Sequence, residues 1–226
     1  MERSLYKLYQ DSFKFKVTLM RLLTCLSLVP FFMLWTSYAK AEEPTAAVPL
    51  YTEAELLALI NKNTHLARVK ADDCQLVQDI EARANKMALP SYQFLYGDML
   101  AYGVCVDRNV ELGVYYMRNA AQQGLAAALE QLGRYYDIGR LVQKDKAMAI
   151  TYLREASAQG NLKAQLRLVN LFNQGFGSPR DYEDAYRWLF HALVADKAMH
   201  KKIERSLAQL AQKMPDSVVA RARLPM

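Results

Sequence analysis

The sequence predicts an all-α protein: three helical hairpins stacked in an array, with helices before it and a capping helix after it. Two observations carry this. Residues recur at a fixed step of 36: Gly97 and Gly133; Gly103, Gly139 and Gly175; Tyr116, Tyr152 and Trp188; Ala120, Ala156 and Ala192; Gly124 and Gly160. Five columns in one register without gaps mark an internal repeat, and a period of this length belongs to solenoids, propellers and arrays. Each period also reads as two amphipathic helices. In the middle one Ala128, Leu132, Tyr135 and Tyr136 share a face and Gly139 stops the helix; Ala149, Tyr152, Leu153 and Ala156 share the next face until Gly160.

The columns predict what holds the stack. Gly133 lies inside a helix, where glycine costs about 1 kcal/mol relative to alanine. It matches Gly97 and is replaced by Val169 in the third unit, so close helix approach is expected in the first two units and looser packing in the third. Gly113, Ala149 and Ala185 form a small column three residues before the aromatic one, which lets neighbouring helices interdigitate. The tyrosines are expected in the core rather than in a ligand cage. One hairpin cannot bury its apolar face alone, whereas three with caps can.

The middle unit, with Leu132-Gly133-x-x-Tyr136-x-x-Gly139, then Tyr152-x-x-x-Ala156-x-x-x-Gly160 and Ala164, resembles the Sel1-like repeat, a relative of the tetratricopeptide repeat. The resemblance implies a right-handed α/α superhelix that holds other proteins, and does not imply an enzyme.

From the start of the chain, residues 1–41 read as a secretory leader. Lys14, Lys16 and Arg21 precede an apolar run from Leu22 to Trp35, and Ala39-Lys40-Ala41 fits a small-x-small cleavage site before Glu42. Translation from Met20 would leave a leader of ordinary length. An uncleaved anchor is the competing reading, disfavoured because the run is short of the ~20 residues needed to span and contains Pro30. Of the net charge of +6, most lies in the leader: Arg3, Lys7, Lys14, Lys16, Arg21 and Lys40 against Glu2 and Asp11. The exported chain is then close to neutral. No stripe of Lys and Arg with interleaved aromatics suggests a nucleic acid partner.

Of three cysteines, Cys25 leaves with the leader, so Cys74 and Cys105 are expected to pair in an oxidising compartment. The bridge would tie the region before the repeats to the turn of the first hairpin and contribute about 3 kcal/mol.

Residues 42–51 form a linker, with Pro44 and Pro49 blocking regular structure. Residues 52–90 hold N-terminal helices. Thr52-Glu53-Ala54-Glu55 is a capping box with Leu56, Leu59 and Ile60 on the buried face. Asp72-Asp73 is expected to open the next helix, with Cys74 on it and Leu76, Ile80, Ala84 and Met87 buried until Pro90. Residues 91–195 are the three repeats. Residues 196–226 are a cap: a helix from Asp196 to Met214 with Lys201, Lys202, Glu204 and Arg205 outward, ended by Pro215, and a weakly patterned tail.

Several strings narrow the resemblance: Pro49-Leu50-Tyr51-Thr52-Glu53-Ala54-Glu55-Leu56; Val69-Lys70-Ala71-Asp72-Asp73-Cys74-Gln75-Leu76-Val77; Tyr92-Gln93-Phe94-Leu95-Tyr96-Gly97-Asp98-Met99-Leu100 with Gly103-Val104-Cys105-Val106; and Asp181-Tyr182-Glu183-Asp184-Ala185-Tyr186-Arg187-Trp188-Leu189. Together they resemble the MotX-like family of periplasmic components of the sodium-driven polar flagellar motor, from about Pro49 to Arg223. The resemblance implies a T ring built with MotY around the flagellar basal body, and contact with the periplasmic domain of the stator B subunit. The chain would be a periplasmic adaptor without an ion pathway, a cofactor or a small-molecule substrate.

Catalytic signals are thin. His65, His191 and His200 sit in no His-Glu-x-x-His or Cys-x-x-Cys pattern, and Gly175-Phe176-Gly177-Ser178-Pro179 reads as a turn rather than a phosphate loop. Two candidate partner surfaces stand out. Asp98, Arg134 and Asn170 occupy one column expected to point outward from the first helices, with Asp137 nearby; a merely solvated face is the plainer reading. The second is Pro49, Leu50 and Tyr51, apolar residues expected to be exposed or stapled to the next helix. Two other functions stay open: an adaptor for another envelope system such as polysaccharide export, and a β-lactam-binding or -hydrolysing Sel1-like protein. The latter fits less well, because its cysteine pairs recur in most repeats.

Overall fold

A computed structural model describes residues 49–225. The leader, the Ala41–Glu42 cleavage point and most of the linker lie outside the described residues.

All regular structure among the described residues is helical. Three short helices come first: α1 (Glu53–Lys62), α2 (His65–Ala71) and α3 (Val77–Asn85). Three hairpins follow: α4 (Pro90–Tyr102) with α5 (Val110–Gln122), α6 (Ala126–Ile138) with α7 (Lys146–Ala158), and α8 (Leu162–Asn173) with α9 (Tyr182–Phe190). A 3-10 turn at Pro179–Asp181 leads into α9. Then α10 (Lys197–Ala211) and α11 (Asp216–Ala222) close the end.

Local chemistry explains the boundaries. Thr52 and Glu55 satisfy each other's free amides at the start of α1. Asn109, Asp145 and Asn161 cap α5, α7 and α8 through their side-chain oxygens. Gly139 ends α6 at φ +73°, a left-handed conformation that a Cβ would penalise.

One continuous core runs through hairpins and caps. Tyr92, Tyr135 and Tyr186 are among its largest fully buried side chains. The close approach is strongest in the first hairpin: a Cβ on Gly97 would meet the Gly113 carbonyl oxygen at 2.8 Å, and one on Gly113 would meet the Gly97 carbonyl oxygen at 2.6 Å. In the second, a Cβ on Gly133 would meet Leu153 Cγ at 2.6 Å. In the third, the buried Val169 side chain fills the corresponding space, and α9 is shorter than α5 or α7.

Three local expectations change. Asp72-Asp73 does not open a helix. Asp72 is the C-cap of α2, a helix the periodicity did not reveal, and Asp73 and Cys74 take positive φ in the turn that follows. The cause is tertiary: Asp72 is held by Tyr51 and Arg68. Met87 is 59 % exposed, because α3 ends before it. The tail after Pro215 is helical, and Arg221 and Arg223 bond to Glu183 and Tyr186 of α9.

Candidate interaction surface

The N-terminal segment is locked onto the first hairpin. The Tyr51 hydroxyl donates to Asp72 Oδ2 at 2.7 Å, and Arg68 Nε donates to both Asp72 oxygens at 2.9 and 3.1 Å. Tyr92 donates its hydroxyl to the Tyr51 carbonyl, and Ser91 donates to Glu53 at 2.6 Å. Burial works against the Asp72 charge, but the Tyr51 hydroxyl and the Arg68 guanidinium outweigh it and hold the carboxyl below its ordinary pKa. Burial, then the bond to Asp72, pushes Tyr51 well above the tyrosine range. A disulfide joins Cys74 to Cys105, Cα to Cα 5.5 Å, across the same junction.

This clasp redefines the candidate residues. Tyr51 is not exposed: it is buried, and Leu50 is half-buried against the core, leaving Pro49 outside. Asp98 does not point outward. It is buried on α4, where Oδ2 lies 2.7 Å from His65 Nε2, both side chains 2 % exposed. The reason is that α1 and α2 pack over α4, so the first-helix face of the first hairpin is already covered. Sequence reading missed this pair because its members are 33 residues apart and share no motif.

Arg134 is half-buried. Its Nη2 donates to Gln131 Oε1 at 2.8 Å, and its guanidinium lies 4.8 Å above the Tyr135 ring. The Tyr135 and Tyr102 hydroxyls are bonded to each other. Burial, then the nearby Asp98 charge and Tyr102, raises Tyr135 far above its ordinary pKa. Asp137 is buried and engaged on both oxygens, by Lys146 and by Arg167 at 2.9 Å, which ties the second hairpin to the third. Burial opposes its ionisation, and the two cations prevail, lowering its pKa. Asn170 is exposed beside an open groove of about 440 Å³ between α8 and α10, lined by Leu166, Met199 and Lys202. Asp98, Asp137 and Tyr51 therefore hold the molecule together, while Asn170 and Pro49 reach solvent.

A second groove, about 350 Å³, opens between the end of α1 and the starts of α6 and α8. Lys163 spans it, donating to the Asn61 carbonyl at 3.0 Å. Among the described residues no group of three or more His, Cys, Asp or Glu is placed to hold a metal, and no helix is long and apolar enough to cross a membrane. Both grooves are open to solvent and rimmed by helices.

Comparison with known proteins places the fold and the family. The Sel1 repeat family model matches residues 90–125, 126–161 and 162–190, one match per hairpin. A crystal structure of a Sel1 repeat protein from Oxalobacter formigenes superposes with a TM-score of 0.51 at 25 % identity, covering 57 % of this chain and 97 % of that one. A protective antigen of uropathogenic Escherichia coli displaying an SLR fold gives a TM-score of 0.48 at 19 % identity, over 73 % of this chain and 40 % of that one. The three repeat matches and the Oxalobacter formigenes structure define the class, an all-α solenoid of Sel1 repeats. More narrowly, the chain is 57 % identical over 188 residues to the sodium-type polar flagellar protein MotX of Vibrio parahaemolyticus serotype O3:K6 (strain RIMD 2210633), covering 83 % of this chain and 89 % of the relative. The chain belongs to the MotX family.

Proposed function

We propose that the chain is a non-enzymatic adaptor of the sodium-driven polar flagellar motor. In this reading it is exported to the periplasm, joins a MotY-like protein in the T ring around the basal body, and helps hold the stator through the periplasmic domain of its B subunit. The observation that carries the reading is the 57 % identity over most of both chains, which is far more than three shared repeats require. The disulfide between Cys74 and Cys105 supports an oxidising compartment. The open grooves between helices suit a holding role.

A pull-down tests it. Tagged protein is recovered from an oxidised periplasmic extract, as wild type and as Cys74→Ser, and its companions are read by mass spectrometry. Recovery of a MotY-like protein and the stator's periplasmic domain, weakened by the cysteine change, is expected. Recovery of unrelated envelope proteins alone would sink the motor reading and leave the fold untouched. Loss of the gene is expected to stop rotation while filaments still assemble.

A further inference from the structure

The second groove contains a residue that breaks the repeat. At the 36-residue step, Phe94, Glu130 and Leu166 form one column on the first helices. Phe94 is buried and packs its ring against His65, and Leu166 packs against the core. Between these two apolar positions the second hairpin carries a glutamate. Glu130 is only 9 % exposed, yet it lines the groove with Ile60, Asn61, Gln131, Asn161 and Lys163.

The carboxylate oxygens of Glu130 are not sealed from solvent, so the charge faces the open groove. Among the described residues no hydrogen bond or ion pair reaches the Glu130 side chain. The lysine that lines the same groove has its ammonium on the Asn61 carbonyl at 3.0 Å, and Arg134, one turn further along α6, is engaged with Gln131 and Tyr135. A leucine would fit the column, as Leu166 does one unit later. The second unit thus sets an acid in the groove where the units on either side carry an apolar side chain.

We infer that this groove receives a basic side chain, a lysine or arginine presented by a partner protein, with Glu130 as its counter-ion. The geometry suits such an occupant. The carboxylate lines the groove, the Asn61 side chain lies on its wall, and Ile60 and Phe94 offer apolar surface to the stem of a long cationic side chain. The volume of about 350 Å³ admits one side chain and a short stretch of backbone, and the open mouth lets it enter from solvent. This deepens the adaptor reading and rests on it only for the statement that the occupant belongs to another protein.

The test uses the exported, oxidised chain and a defined probe. N-acetyl-L-arginine methylamide is titrated against the ¹⁵N-labelled protein, with the neutral citrulline counterpart as control, and amide shifts are followed by NMR. Shifts confined to Glu130, Gln131, Asn161 and Lys163 are expected with the arginine probe, absent with citrulline, and lost in Glu130→Gln. Thermal melting supplies the second readout. Glu130→Gln is expected to melt with wild type in the absence of probe, and the arginine probe to raise the melting of wild type alone. Shifts that survive Glu130→Gln, or no difference between the two probes, would overturn the inference. So would a Glu130→Gln protein that melts lower than wild type, because Glu130 would then already have an internal partner. None of these outcomes involves a motor protein, so failure here would leave the adaptor reading standing, and failure of the pull-down would leave the groove's chemistry intact.

Discussion

In the first hairpin α4 and α5 meet backbone to backbone through Gly97 and Gly113, and the junction before it is closed by a disulfide and the Tyr51–Asp72–Arg68 clasp. In the third, Val169 fills the gap with a side chain, and the end is held by charges near the surface: Arg221 and Arg187 on Glu183, Arg154 on Asp181. The same repeat is therefore secured at one end by steric fit and covalent linkage and at the other by side-chain volume and solvent-exposed ion pairs. Steric fit tolerates no added atom, whereas exposed ion pairs exchange with water and salt at little cost. The N-terminal end is thus expected to be the stiffer end of the array.

The largest expected effect comes from the covalent link. Replacing both Cys74 and Cys105 by serine opens a loop of 31 residues and is expected to cost about 3–4 kcal/mol, read by urea unfolding. Limited proteolysis sharpens the comparison: cleavage of the double variant is expected to begin near residues 72–76 and spare α8 and α9. Cleavage that begins in the third hairpin would break the contrast.

The next effect is steric. Gly113→Ala places a Cβ 2.6 Å from the Gly97 carbonyl oxygen and 2.8 Å from the Ala101 amide nitrogen, both backbone atoms that cannot turn aside. A loss of about 2–3 kcal/mol is expected. Val169→Ala, which only removes volume, is expected to cost about 1–2 kcal/mol. Equal losses would mean that the two hairpins are packed alike after all.

Acid titration distinguishes the regions by charge. Asp72 and Asp137 both have pKa values lowered in the folded state. A lowered carboxyl contributes stability that is present above its unfolded value, about 3.9, and is lost as pH falls through the folded value. Wild type is therefore expected to lose stability as pH drops below about 4, and Asp137→Asn to show a shallower acid slope. Because Asp137 joins Lys146 to Arg167, the variant should also loosen the second hairpin from the third, seen as faster amide exchange in α8. An unchanged acid slope would remove Asp137 from the account.

The smallest effect is expected at the far end. Arg221→Ala removes an exposed partner of Glu183 and should change melting little, with even that difference fading in high salt. A large loss would show the C-terminal helix to be as firmly locked as the N-terminal clasp.

Much of this molecule was legible because helical period and repeat register are local properties. The 36-residue columns place the three hairpins, Gly139 stops α6, and Thr52 with Glu55 starts α1, all through contacts within a few residues. What the sequence did not disclose depends on partners distant in the chain. Asp98 shares its column with Arg134 and Asn170, so spacing alone assigns it to solvent; only the packing of α1 and α2 over α4 turns it inward onto His65. Tyr51 and Asp72, each read as a local signal, bond to each other across 21 residues, and that bond makes a clasp of what composition suggested was a linker and a helix start. Glu130 was visible in the register as an acid between Phe94 and Leu166, but its significance appears only when the end of α1 closes a groove over it. The sequence by itself determined the helices of the three hairpins, their number in the array and their glycine stops, because these follow from backbone preference and apolar spacing. The tertiary structure alone decided which polar side chains are buried, paired or left facing a groove, because desolvation is set by whatever packs on top.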